Sequence, residues 1–151
     1  MSCPALFRRF RAETRGTVTI ETALVAPVLV LMALGTFDAG GMVARQNELQ
    51  SAAAEAQAIV QAKPPTDAAG RQTVRDIMKA SAGLTDEQVS VTERFRCATA
   101  ASYVSVNSCV EGEDVSTFIR VALSDTYTPV WTQFGIGSPV NYNVVRMVQI
   151  S

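Results

Sequence analysis

Hydrophobic residues are laid out along this chain in three different rhythms. From Val18 to Phe37 they are nearly continuous, and one acid, Glu21, interrupts them. A run of this length matches the roughly 20 residues that a bilayer core requires. From Leu49 the rhythm becomes helical, with apolar residues at Leu49, Ala52, Ala53, Ala56, Ile59 and Val60 forming one stripe. Pro64 and Pro65 end it. The two stretches predict one helix from Thr17 to Ala62, spanning roughly 70 Å at 1.5 Å per residue. Residues 17–44 would lie in lipid, and residues 45–62 would continue outside and offer their stripe to a head. Within the lipid segment, Pro27 cannot donate to the carbonyl of Ala23, so a bend or local unwinding is expected there. Gly35 and Ala39 make a small-xxx-small pair that permits close helix packing.

Beyond the prolines, a second helix is predicted over residues 67–82, with Thr66 as N-cap and Gly83 as C-cap. Val74, Ile77 and Met78 would be its buried face. After Gly83 the period shortens to two. Val89, Val91, Glu93, Phe95 and Cys97 fall on one face of a strand, and Tyr103 to Val110, Val115 to Tyr127 and Val140 to Ile150 give three more. The predicted fold is α+β: a long N-terminal helix packed on a small antiparallel sheet of about four strands, with residues 63–151 as the head. The segment TPVWTQF, from Thr128 to Phe134, is apolar without a period. It caps the sheet or touches the membrane surface, and Trp131 is an interfacial anchor or a core tryptophan.

Charge orients this arrangement. Arg8, Arg9, Arg11 and Arg15 precede the apolar run, opposed only by Glu13, and nine basic and thirteen acidic residues follow Gly16. Positive charge before the run places the N-terminus in the cytoplasm and the head across the membrane. An ordinary secretory signal would be cut after the run, near Ala39, Gly40 and Gly41, and that reading gives Glu21 no role. No basic patch remains beyond Gly16, so nucleic acid is not an expected partner.

The chain has no histidine, no phosphate-binding glycine loop and no Gly-x-Ser-x-Gly elbow, so neither catalysis nor a cofactor is expected. Cys97 and Cys109 fall in the predicted head, whereas Cys3 precedes the apolar run. A disulfide is favoured over a metal site or a reactive thiol, since two cysteines without histidine make a poor zinc site and neither has an evident base. Glu111, Glu113 and Asp114 lack the ligand spacing of a calcium loop and read as a solvated turn.

Gly16, followed at the fifth position by Glu21 and an apolar helix, resembles the processing site of type IV prepilins and pseudopilins. The wider stretch RGTVTIETALVAPVLVLMALGTFDAGGMVARQNELQSAAAEA resembles the TadE/TadG-like minor pseudopilins of bacterial tight-adherence (Flp) pilus systems. The likeness covers about the first 62 residues. It implies a cytoplasmic leader, residues 1–16, removed by a prepilin peptidase between Gly16 and Thr17. It also implies that Glu21 pairs with the N-terminal amine of a neighbouring subunit; the alternative is an acid that snorkels to the interface. Many type IV pilins carry phenylalanine where this chain has Thr17, which leaves N-methylation open. The partners implied are the peptidase, other pilins or pseudopilins, the inner-membrane assembly platform and the lipid bilayer. The other reading is a permanently anchored periplasmic domain that binds a ligand or scaffolds an envelope complex.

Overall fold

The computed structural model describes residues 14–151, and side chains from Val18 onward. Cys3 and most of the expected leader lie outside the described residues. The elements run α1 (Thr14–Ala62), α2 (Ala68–Ala82), β1 (Val89–Cys97), β2 (Val115–Tyr127), a 3₁₀ helix (Val130–Phe134) and β3 (Val140–Gln149). The chain divides into two compact units, residues 1–40 and 41–151. It is an α+β protein.

The first unit holds the apolar half of α1. The helix is α-helical on both sides of Pro27, so the unwinding expected there does not occur. Its large side chains are bare: Leu24 is 71 %, Leu31 63 % and Phe37 77 % exposed. Asp38, where the run ends, is by contrast buried.

The second unit is built on the other half of α1. Leu49, Ala52, Ala53, Ala56 and Val60 are buried, and they form one core with Val74 and Met78 of α2 and with Ile119, Val121, Leu123, Tyr142, Val144 and Val148 of the sheet. The alanines leave room for the sheet's larger β-branched side chains, so close packing is reached with a thin helix face. The strand order is β1-β2-β3, all antiparallel, with Val91 opposite Val121 and Leu123 opposite Val144. Strand alternation is what brings Ile119, Val121 and Leu123 to the core side of β2.

Three expectations are corrected. The N-cap of α2 is Asp67, not Thr66: its Oδ1 accepts the Gly70 N–H at 2.7 Å, and Gly83, with φ of 61°, closes the other end. Ile77 is 37 % exposed, and Ala82 takes its place on the buried face with Val74 and Met78.

The sheet has three strands, because residues 103–110 pair with β1 only through Phe95 and Val104. Two causes are visible. In the Phe95–Val104 register Cys97 would face Ser102, and Cys109 would fall opposite Ser90, about 23 Å further along β1. Cys109 is instead bonded to Cys97, with Cα atoms 5.5 Å apart, so the chain must turn back after Val104. α2 also lies along that edge. Arg75 Nε donates to Val89 O at 3.1 Å, and Arg71 pairs with Glu93 at 3.3 Å, which lays α2 alongside β1.

Candidate functional site

The apolar half of α1 carries the residues expected to act. Gly16 and Thr17 lie within the helix, one turn ahead of Glu21. Glu21 is exposed and shares a shallow groove with Val18, Thr22, Val25, Ala26 and Leu29. It is the only ionisable side chain between Val18 and Phe37. The hydroxyls in the run are satisfied internally: Thr22 donates to Val18 O at 2.8 Å, and Thr36 donates to Ala33 O at 2.9 Å. A helix that satisfies its own hydroxyls and, apart from Glu21, exposes mainly hydrocarbon is suited to lipid. Gly35 has no neighbour within 4 Å of where a Cβ would stand, so this side of the helix is open to close approach, as Ala39 is one turn further on. Among the described residues this is the one helix long and apolar enough to cross a membrane.

In the head, Cys97 and Cys109 are joined. Glu113 lies within 4.8 Å of both sulfurs, but the thiols are spent in the disulfide and offer no thiolate to a metal. Glu113 has a structural task. It accepts the Thr99 hydroxyl and, at 2.8 Å, the Thr99 N–H, and the Thr99 hydroxyl bond holds its carboxyl below the usual value. With Glu113 so engaged, the acidic turn closes the disulfide loop. Tyr103, in the same loop, packs edge-on against Phe118 at 5.0 Å, with the Arg96 guanidinium 5.5 Å from the Phe118 ring.

A polar clasp, not anticipated from the sequence, fixes the continuing helix to the head. Arg45 donates to Asp125 at 2.6 Å, to Glu48 at 2.7 Å and to the Ala82 carbonyl at 3.0 Å. Gln88 donates to the other Asp125 oxygen at 2.7 Å. Burial is the largest single influence on Asp125 and opposes its ionisation, but the hydrogen bonds from Arg45, the Thr126 N–H and Gln88, with the Arg45 charge, together outweigh it and hold the carboxyl below its ordinary range. Four chain segments meet here through residues up to 80 positions apart, and no local pattern announces such a meeting. A second contact was equally hidden. A methyl group on Gly41 would stand 2.6 Å from Tyr127 Oη, so a larger residue there would require the Tyr127 ring to shift. Its one sequence trace is the Gly40–Gly41 pair.

These features define a class: a single lipid-suited helix whose C-terminal half serves as the core helix of a small disulfide-bonded α+β head, an arrangement consistent with a single-pass membrane protein. Residues 16–57 match the family model described as TadE-like protein. The matched segment starts at Gly16, takes in Glu21 and the whole apolar run, and ends within the stripe that packs into the head. No curated protein and no solved structure matches the chain.

Proposed function

We propose that this protein is a minor pseudopilin that takes part in initiating or assembling tight-adherence (Flp) pili, and that its activity is assembly, not catalysis. The TadE-like match over residues 16–57 carries this reading, because it associates the chain with that pilus system and begins at the proposed scissile position. The bare apolar helix with one acid near its start supports it.

In this account residues 1–16 are a cytoplasmic leader and residues 17–44 span the inner membrane. Residues 45–62 and 63–151 are the periplasmic helix and head. A prepilin peptidase cuts between Gly16 and Thr17, where glycine leaves the scissile peptide unhindered. The freed Thr17 amine, with an ordinary pKa near 8, is mostly protonated at neutral pH. Glu21 of an adjoining pilin or pseudopilin supplies its counter-ion as subunits gather on the assembly platform, and Gly35 and Ala39 admit a neighbouring helix. The Cys97–Cys109 bond suits the oxidising periplasm.

The intact mass of the membrane form tests this. A mature chain beginning at Thr17, and a Gly16→Val variant that keeps its leader, are the expected results. Retention of Met1 to Gly16 in the native protein would favour the permanent anchor instead, and a start near Gly41 a secreted protein.

A further inference from the structure

The longest stretch of the head without charge carries an exposed apolar loop. Between Asp125 and Arg146 the chain carries no Asp, Glu, Lys or Arg. The β2–β3 connection, residues 128–139, lies inside that stretch. Its 3₁₀ helix ends at Gly135, which with Gly137 adopts the left-handed conformation, at φ of 74° and 75°. The result is a turned tip on which Phe134 is 65 % and Ile136 63 % exposed, with Val130 at 39 % and Trp131 half-buried beside them. The turns just before β1 and β2 are charged, at Asp86 and Glu87 and at Glu111, Glu113 and Asp114, while the uncharged residues 97–110, which expose Val106 and Val110, are closed by the Cys97–Cys109 disulfide.

The position of this loop within the head is set by contacts at its two ends. Tyr127, the last residue of β2, lies against Gly41, and Tyr142, near the start of β3, donates its hydroxyl to the Met42 carbonyl at 3.0 Å. Both strands therefore deliver the loop beside residues 41–42 of α1. Counting from Val18 the roughly 20 residues that a bilayer core takes, the helix leaves hydrocarbon about one turn before Gly41. The tip is thus tethered close to the point where the chain emerges.

We infer that residues 128–139 are a membrane-interface element, with Phe134 and Ile136 seated among the lipid headgroups and upper acyl chains of the leaflet from which α1 emerges, and Trp131 at the headgroup level. The occupant of this apolar tip is lipid because β2 runs from Asp125 at Arg45 to Tyr127 at Gly41, so the loop is carried to the end of the head's helix that adjoins the segment read as membrane-spanning. The inference rests on the reading of α1 as membrane-spanning. Aromatic side chains with a polar edge favour this zone, and apolar tips enter it by burying area. With no charge in the loop, the seating is independent of anionic lipid and of salt.

Trp131 is the only tryptophan in the chain and reports directly. The full-length protein is reconstituted at low density in phosphatidylcholine vesicles containing lipids with a nitroxide either near the headgroup or near the chain end. Trp131 emission is expected to be quenched more strongly by the shallow label. The same quenching is expected in about 0.5 M salt and with phosphatidylglycerol in place of phosphatidylcholine. The Phe134→Ser/Ile136→Ser double variant, which alters exposed positions only, should lose at least about half of that quenching while keeping its circular dichroism and disulfide.

Vesicle flotation separates the two levels of the argument. Protein that floats with vesicles but whose tryptophan is reached by aqueous iodide and not by either lipid label would overturn the inference and leave the spanning helix standing. Lipid quenching that is replaced by a response to protein density would do the same, by assigning the tip to a neighbouring subunit. Failure to float would remove both.

Discussion

Arg45 and Asp125 show how a single pair can hold a helix to a sheet. Both side chains are mostly covered, at 21 % and 15 % exposure, and Arg45 also bonds Glu48 and a carbonyl at the end of α2. Removing one partner of such a set leaves the other charge poorly solvated. Asp125→Asn is therefore expected to destabilise the head by about 1–3 kcal/mol at neutral pH, read by urea unfolding. The pH dependence has a definite sign. The Asp125 carboxyl is held below its unfolded value, so its contribution is complete above an unfolded pKa of about 4 and is lost as pH falls through the folded value. Asp86, hydrogen-bonded by Lys79, and Glu113, hydrogen-bonded by Thr99, are shifted the same way. Native protein should lose stability on acidification below about pH 4, and Asp125→Asn should flatten that limb. Equal acid slopes in the two proteins would mean that the clasp does not couple protonation to folding.

Among the elements, those with a local period were legible and those made by distant meetings were not. The 3.6-residue spacing of Leu49, Ala52, Ala53, Ala56 and Val60 marked the buried face of α1, and the period of two marked residues 115–127 as a strand. Tyr103 to Val110 alternates as well, yet forms a single bridge, since an alternating segment still needs a free edge and a compatible register. The disulfide denies it the register, and α2 lies along part of the edge. In the candidate site, the spacing of Gly16, Thr17 and Glu21 was legible, whereas the clasp and the Gly41–Tyr127 approach were not, because each depends on where strands end in space. The stapled loop gives its own prediction. Cys97→Ser/Cys109→Ser should cost about 3 kcal/mol, seen as a lower Tm. Amide exchange at Phe95 and Val104 should rise while that at the β2–β3 pairing stays protected. In cells, thiol trapping of the native protein should find both cysteines oxidised.

At the scale of the whole molecule the two units make opposite demands on one helix. The apolar half is left bare, and the other half is consumed by the head. Glu21→Gln tests what the bare half is for. In the proposed assembly the change strands a neighbour's Thr17 amine, and breaking a desolvated pair from one side costs about 3–5 kcal/mol. The variant should insert and lose its leader yet fail to support pilus-dependent adherence, and normal adherence would remove the pairing mechanism. The shared helix also imposes a timetable. The stripe on residues 49–60 is synthesised before any of the strands that cover it, and Val148, one of its core partners, follows the stripe by 88 residues. At roughly 5–20 residues per second, the stripe stays uncovered for about 5–20 s. Three of its five buried positions are alanine, which favours helix and presents little apolar area. The stripe is therefore composed to tolerate delay: it can hold its shape alone while offering passing chains little to stick to.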